Sequence, residues 1–213
     1  MTTEKMSVHK ALCELKTIDA RIEKTIRATT YVFANKHNNT KVNGMSLSDF
    51  CAEIKANHKS AHDLIARRDA IKRAVTLSNA TTTVMISGKE FTVAEAIDFK
   101  NHTVPLMNDM LSKMASDNMR ARSAADVANG PALETRADEY IKSLYGNVDM
   151  KGASEEVKKV RADFITAQTT ELVDPIKVVD AMAALEKEIN DFTVEIDSAL
   201  SVSNALTELE ISY

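Results

Sequence analysis

At 213 residues, with a formal net charge of −4 and a pI near 5.8, the chain lacks the basic surplus that a general grip on duplex nucleic acid requires. An apolar fraction of 44% suffices for a packed core and sets disorder aside, and the length fits a single domain over residues 1–213. Trp is absent and Gly and Pro are scarce, so few residues interrupt the many Ala, Lys, Glu and Met residues that favour long helices.

Taken in chain order, Ser7 is placed to cap a first helix carrying Val8, Leu12, Leu15, Ile18, Ile22 and Ile26, spaced by threes and fours. A polar loop is expected from Ala34 to Gly44. A second helix begins near Ser46 or Ser48 and carries Phe50, Ile54, Ala61, Leu64, Ile65, Ile71 and Val75. Its length suggests a coiled-coil-like hairpin with the first. Asn79 suits a left-handed helix end. Residues 82–86 then read as a strand, Ser87-Gly88 as a tight turn and residues 89–91 as a return strand.

Thr92 and Glu95 form a capping-box pattern, so a third helix is expected from Val93. Its apolar stripe fades after Met119, and Pro105 should kink or divide it. Asn129-Gly130-Pro131 breaks the chain before a short helix through Leu133, Ala137, Ile141 and Leu144. After a loop from Gly146 to Gly152, Ser154 is placed to cap another helix. Asp174-Pro175 reads as the start of the last helix, with a heptad of Met182, Leu185, Ile189, Phe192, Ile196, Ala199 and Ser203. In the tail Thr207, Leu209, Ile211 and Tyr213 alternate with Glu208, Glu210 and Ser212, the pattern of a strand with one wet face.

One segment occurs twice. Ile71, Ala74, Ser78, Asn79, Ala80, Thr82 and Ile86 recur in step as Ile196, Ala199, Ser203, Asn204, Ala205, Thr207 and Ile211. Val75/Leu200, Leu77/Val202 and Val84/Leu209 are conservative exchanges. In each copy a helical period gives way to an alternating one. The chain therefore divides into unit one (7–91), a kinked helix (92–128) and unit two (131–213). The fold expected is mainly α: an elongated antiparallel helical bundle or coiled coil. A small β-sheet, built from residues 82–91 and 206–213, joins the two related helix-to-strand units. Exposed sheet edges and the long last heptad favour a homo-oligomer.

The segment from Ile86 to Ile97 (Ile-Ser-Gly-Lys-Glu-Phe-Thr-Val-Ala-Glu-Ala-Ile), preceded by Ser78-Asn79-Ala80-Thr81, resembles a family of bacteriophage- and prophage-encoded helical proteins. The opening Leu12 to Ile22, Asp174-Pro175-Ile176 and Ser203-Asn204-Ala205 extend the resemblance over nearly the whole chain. The layout of helical hairpin, turn and capped helix is also similar to septicolysin-like helical proteins. The resemblance implies a phage-associated protein, either in the cytoplasm of the infected bacterial host or in the virion. It supplies no catalytic residues.

The residues themselves offer little chemistry. Cys13 and Cys51 lie in helical pattern without a CxxC partner and read as reduced, partly buried thiols. No apolar run reaches the ~18 residues of a membrane span, and the opening stretch lacks the apolar segment of a secretory signal. The protein is expected to be made and kept inside a cell. His58 and His62 are one helical turn apart, but no metalloprotease Glu follows His58, and solvent-facing rings are the simpler reading. No phosphate loop or nucleophile elbow is present. Carboxylates such as Glu155-Glu156 and Glu186 and Glu188 fall on polar helix faces, where solvation explains them. No enzyme and no cofactor are indicated.

The polar constellation around the repeat is the candidate site. Arg67, Arg68, Lys72 and Arg73 crowd the end of the second helix, with Lys89 on the adjoining turn. The helix dipole alone can account for cations there. Arg68 is harder to explain, because it shares the register of Ile54, Ala61 and Val75 and needs either a carboxylate from another helix or a bound anion. Asn79 and Asn204 are either simple helix ends or the walls of a polar pocket. Two function classes remain open. In the first, a non-catalytic phage protein counters host defence by sequestering a small anionic, nucleotide-type signalling ligand, or by blocking a host protein. Arg67, Arg68, Lys72, Arg73, Asn79, Lys89 and Asn204 then bind the ligand. In the second, the chain is a virion structural or assembly protein built on helical oligomerisation.

Overall fold

In the computed structural model, which describes residues 2–213, the chain opens with a strand not expected from the sequence: β1, Thr3–Ser7. It runs straight into helix α1, Val8–Ala28. Ser7 makes the turn between them, with extended backbone and a side-chain oxygen that accepts from the Lys10 N–H at 3.2 Å. α1 buries Val8, Ala11, Ile18 and Ile22. The expected loop holds a short hairpin, β2 (Lys41–Val42) and β3 (Met45–Ser46), turned by Asn43 and Gly44 at φ of 50° and 83°. Ser46 then caps helix α2, Leu47–Thr81, which packs along α1.

α2 runs past Asn79, which is not a left-handed helix end. The capping position is Thr82, with extended backbone. The helix extends because its final carbonyls are satisfied locally: the Thr82 N–H donates to Ser78 O at 2.8 Å and the Thr81 hydroxyl to Leu77 O at 3.0 Å. Strands β4 (Thr83–Ile86) and β5 (Lys89–Thr92) form the expected hairpin, with Ser87 and Gly88 at φ of 51° and 74°. Nothing lies within 4 Å of a Cβ built on Gly88, so conformation alone sets the cost of replacing it. Gly88→Ala should destabilise the fold by about 1 kcal/mol; an unchanged urea midpoint would show that the turn relaxes.

Helix α3 (Val93–Asp98) begins with the predicted capping box, Thr92 to Glu95 and back. The helix expected from Val93 is interrupted just ahead of Pro105: a π-helical turn over Phe99–Thr103 separates α3 from helix α4 (Val104–Ala128), in whose first turn Pro105 lies. α4 continues well beyond Met119. Then come α5 (Pro131–Tyr145), α6 (Glu155–Gln168), α7 (Val178–Leu206) and strand β6 (Glu208–Ser212). Pro175 does not open α7. The Asp174 carboxylate reaches forward to the Val178 N–H, with both oxygens at 2.9 Å, so the helix starts there.

The chain is thus mainly α with small two-stranded antiparallel sheets, as expected. The strand pairing differs from the expectation. β6 joins β1 rather than the β4–β5 hairpin, in the register Ser7↔Glu208 to Thr3↔Ser212. Thr2 and Tyr213 exchange backbone hydrogen bonds of 2.8 and 3.1 Å at its end. The compact units also differ from those drawn on the repeat at 91 and 131. One comprises Met1–His102 with Asp191–Tyr213, the other Thr103–Asn190, so α7 contributes to both.

Within the first unit the duplicated segment builds the same junction twice. At one, the Val93 N–H donates to Thr82 O at 2.9 Å where β5 becomes α3; at the other, the Val8 N–H donates to Thr207 O at 3.0 Å where β1 becomes α1. Val84 and Ile86 are buried in one, Leu209 and Ile211 in the other, as are Ile71 and Ile196 in the preceding helices. A third, shorter version occurs at the β2–β3 hairpin, where the Leu47 N–H donates to Thr40 O at 2.9 Å. In all three a Ser or Thr cap ends the strand, because the strand's last residue needs extended backbone while its side chain must satisfy a helical N–H. The core beneath the β1–β6 junction comprises Met6, Val8, Ala11, Ile71, Val75, Leu209 and Ile211. In the second unit, α5 packs on α6, Tyr140 stacks on Phe164 with centroids 4.6 Å apart, and Arg161 bridges to Asp138 and Glu134.

Candidate functional site

Arg67 is the centre of the polar constellation that the sequence singled out, and its partners come from both ends of the chain. Its guanidinium meets Glu14 of α1 through two hydrogen bonds, 2.5 and 2.9 Å, in the planar geometry that Arg favours. It also donates to Glu4 of β1 at 2.8 Å and to the Tyr213 hydroxyl at 2.5 Å, and its Cζ lies 5.0 Å from the Tyr213 ring centroid. Only 18% of the Arg67 side chain and 15% of the Glu14 side chain remain exposed. The hydrogen bonds from Arg67 hold the Glu14 and Glu4 carboxyls below their ordinary range, against the upward push of partial burial. Those from Glu14 raise the Arg67 pKa further above its already high value.

Arg68, the residue needing an acceptor on the packing seam, finds a carboxylate. It pairs with Asp19 of α1 and with Asp69 at 3.2 Å, and its hydrogen bonds lower the Asp19 pKa. Of the two options for Arg68, the structure takes the carboxylate from a neighbouring helix. Arg67 and Arg68 are therefore inter-helix ties, which corrects their expected role as open anion contacts. Lys72 and Arg73 are exposed on the following turn. Asn79 and Asn204 are half-buried near the ends of α2 and α7, and Lys89 opens β5 opposite Ile86.

Glu4, Glu14, Asp19 and Tyr213 were missed from sequence. Glu14 and Asp19 carried a usable signal, since they lie on the helix predicted to pair with α2. Glu4 and Tyr213 become visible only once β1 is paired with β6.

Two surface clefts among the described residues are lined by other side chains. One of about 470 Å³ opens between α1 and α2, lined by Arg21, Lys24, Thr25, Thr29, Asn57 and Ser60 among others. Another of about 370 Å³ lies beside the loop after α5, from Gly146 to Met150. His58 and His62 are exposed and meet edge to face, with centroids 4.6 Å apart, and the Tyr31 ring approaches His58. Among the described residues, no three His, Cys, Asp or Glu side chains gather as metal ligands would. Cys13 is exposed, with Sγ 3.7 Å from His9 Nε2, and Cys51 is half-buried. No helix among the described residues is long and apolar enough to cross a membrane.

The fold and the polar network together define a class: a mainly α protein whose long helices are started and stopped by paired strands and tied by inter-helix arginines. No family model, curated protein or solved structure matches the chain.

Proposed function

We propose that the protein is non-catalytic and acts by helical self-association, as an assembly component in the phage setting that its sequence resemblance implies. The observation that carries this reading is a row of exposed apolar side chains on α7. Val194 (78% exposed), Val202 and Leu206 (77%) succeed one another at eight- and four-residue spacing along one stripe of α7. Leu77, the counterpart of Val202 in the duplicated segment, is exposed as well. Apolar side chains repeated on a helix face suit a partner helix better than water.

Native mass spectrometry tests this directly. The wild-type chain should appear as a closed oligomer at micromolar concentration. Val194→Glu/Val202→Glu/Leu206→Glu should run as a monomer with unchanged helical circular dichroism. A wild-type chain that is monomeric throughout would refute the proposal.

The second reading, sequestration of a nucleotide-type anion against host defence, is weakened at Arg67 and Arg68, whose hydrogen bonds go to carboxylates. It is favoured instead by the cationic groove between α1 and α2.

A further inference from the structure

We infer that this groove is a binding site for a pyrophosphate group, free or carried by a nucleotide. The inference deepens the second reading and does not depend on self-association. α1 supplies Arg21 and Lys24, three residues apart and so on one face of the helix, and α2 supplies Asn57 and Ser60 from across the groove. No Asp or Glu lines it. In contrast to Arg67, Arg68 and Arg161, neither Arg21 nor Lys24 forms an ion pair among the described residues. Glu14, which lies within electrostatic reach of Arg21, already receives hydrogen bonds from Arg67 on both oxygens.

The hydroxyls along the wall sharpen the ligand class. Thr25 donates to Arg21 O at 2.9 Å and Thr29 to Thr25 O at 2.7 Å, so both are spent as donors. The donors left facing the groove are the Arg21 guanidinium, the Lys24 ammonium, the Asn57 amide and the Ser60 hydroxyl. Two cations, two neutral donors and no carboxylate suit an acceptor-only ligand with at least two negative charges. A groove volume of about 470 Å³ accommodates a pyrophosphate with room for a nucleoside attached.

Calorimetric titration with pyrophosphate, in parallel with adenosine diphosphate, tests the site on the full chain. Saturable binding is expected, weakened about tenfold or more in Arg21→Ala/Lys24→Ala. Asn57→Asp keeps both cations but adds a carboxylate to the groove, and should weaken binding to a similar extent. Lys72→Ala/Arg73→Ala removes the same charge elsewhere on α2 and should stay within about twofold of wild type. Tighter binding of the diphosphate nucleotide identifies a nucleotide ligand, and equal affinities identify the pyrophosphate group alone as the recognised element. Absence of saturable binding, or an equal loss in Lys72→Ala/Arg73→Ala, overturns the inference. Helical circular dichroism and native mass on the same samples separate a lost site from a lost fold or a lost oligomer.

Discussion

Replacing Arg67 with Ala should destabilise the protein by about 2–3 kcal/mol and lower its Tm by roughly 5–10 °C. The loss exceeds that of an ordinary surface ion pair because Glu14, mostly buried, is left without a hydrogen-bonded counter-charge, with only the more distant Arg21 in electrostatic reach. Glu4 suffers less, being more exposed and already 3.4 Å from Lys10 Nζ. Arg67→Met/Glu14→Met, which removes both charges and keeps the volume, should recover more than half of the loss. If the double variant is no more stable than Arg67→Ala, the role assigned to the unpaired Glu14 is wrong.

The same network fixes the direction of the acid response. Glu4 and Glu14 have carboxyl pKa values lowered by folding, with the Arg67 hydrogen bonds as the leading cause. Their contribution is present above the unfolded carboxyl value of about 4.3 and is lost as pH falls through the lower folded values. Arg67 is shifted upward, so its contribution is complete throughout the acid and neutral range. Urea midpoints should therefore separate wild type from Arg67→Ala at pH 7 and lie closer together at pH 3. A gap of equal size at both would exclude the carboxylates as its source.

The second large effect is expected in the core. Ile71 and Ile196 are both fully buried and occupy matching positions in the duplicated segment. Truncating either to Ala should cost about 2–5 kcal/mol, and the two costs should be similar because the junctions have the same hydrogen bonds and the same alternation of buried side chains. Equilibrium denaturation of the two single variants is the comparison to make. A cost below about 1 kcal/mol at Ile196 alone would show that the second junction is only superficially like the first.

Much of this architecture could be read in the residues. Ser7, Thr92 and Ser154 announced their helices because capping is a local bargain between one side chain and an N–H three residues on. Ser87-Gly88 announced its hairpin for a similar reason: two positive φ values leave few alternatives. Errors arose where a local signal met a distant one. Asn79 tolerates a left-handed backbone, yet α2 continued through it because nearby backbone and Thr hydroxyl groups satisfied its last carbonyls. Pro105 did interrupt its helix, but the break falls just ahead of it, in the π turn over Phe99–Thr103. The strand Thr3–Ser7 has too few apolar residues to reveal itself, and its partner lies at the far end of the chain. For the candidate site, the sequence located Arg67 and Arg68 and framed the choice at Arg68 between carboxylate and anion. The choice was decided by Asp19, and the role of Arg67 by Glu4, Glu14 and Tyr213, whose proximity depends on how α1, β1 and β6 meet α2.

The pairing of β1 with β6 imposes an order on the life of a newly made chain. Thr3 and Ser212, whose side chains touch across this sheet, are 209 residues apart, whereas β4 and β5 are adjacent strands joined by a tight turn. Two junctions of the same construction thus close at different times. The internal one can form while the ribosome is still at work on later residues. The other must wait until β6 has left the ribosome, and until then Arg67 lacks Tyr213, and the apolar side chains of Met6 and Val8 lack Leu209 and Ile211. Emergence of β6 is therefore the event that seals the first unit.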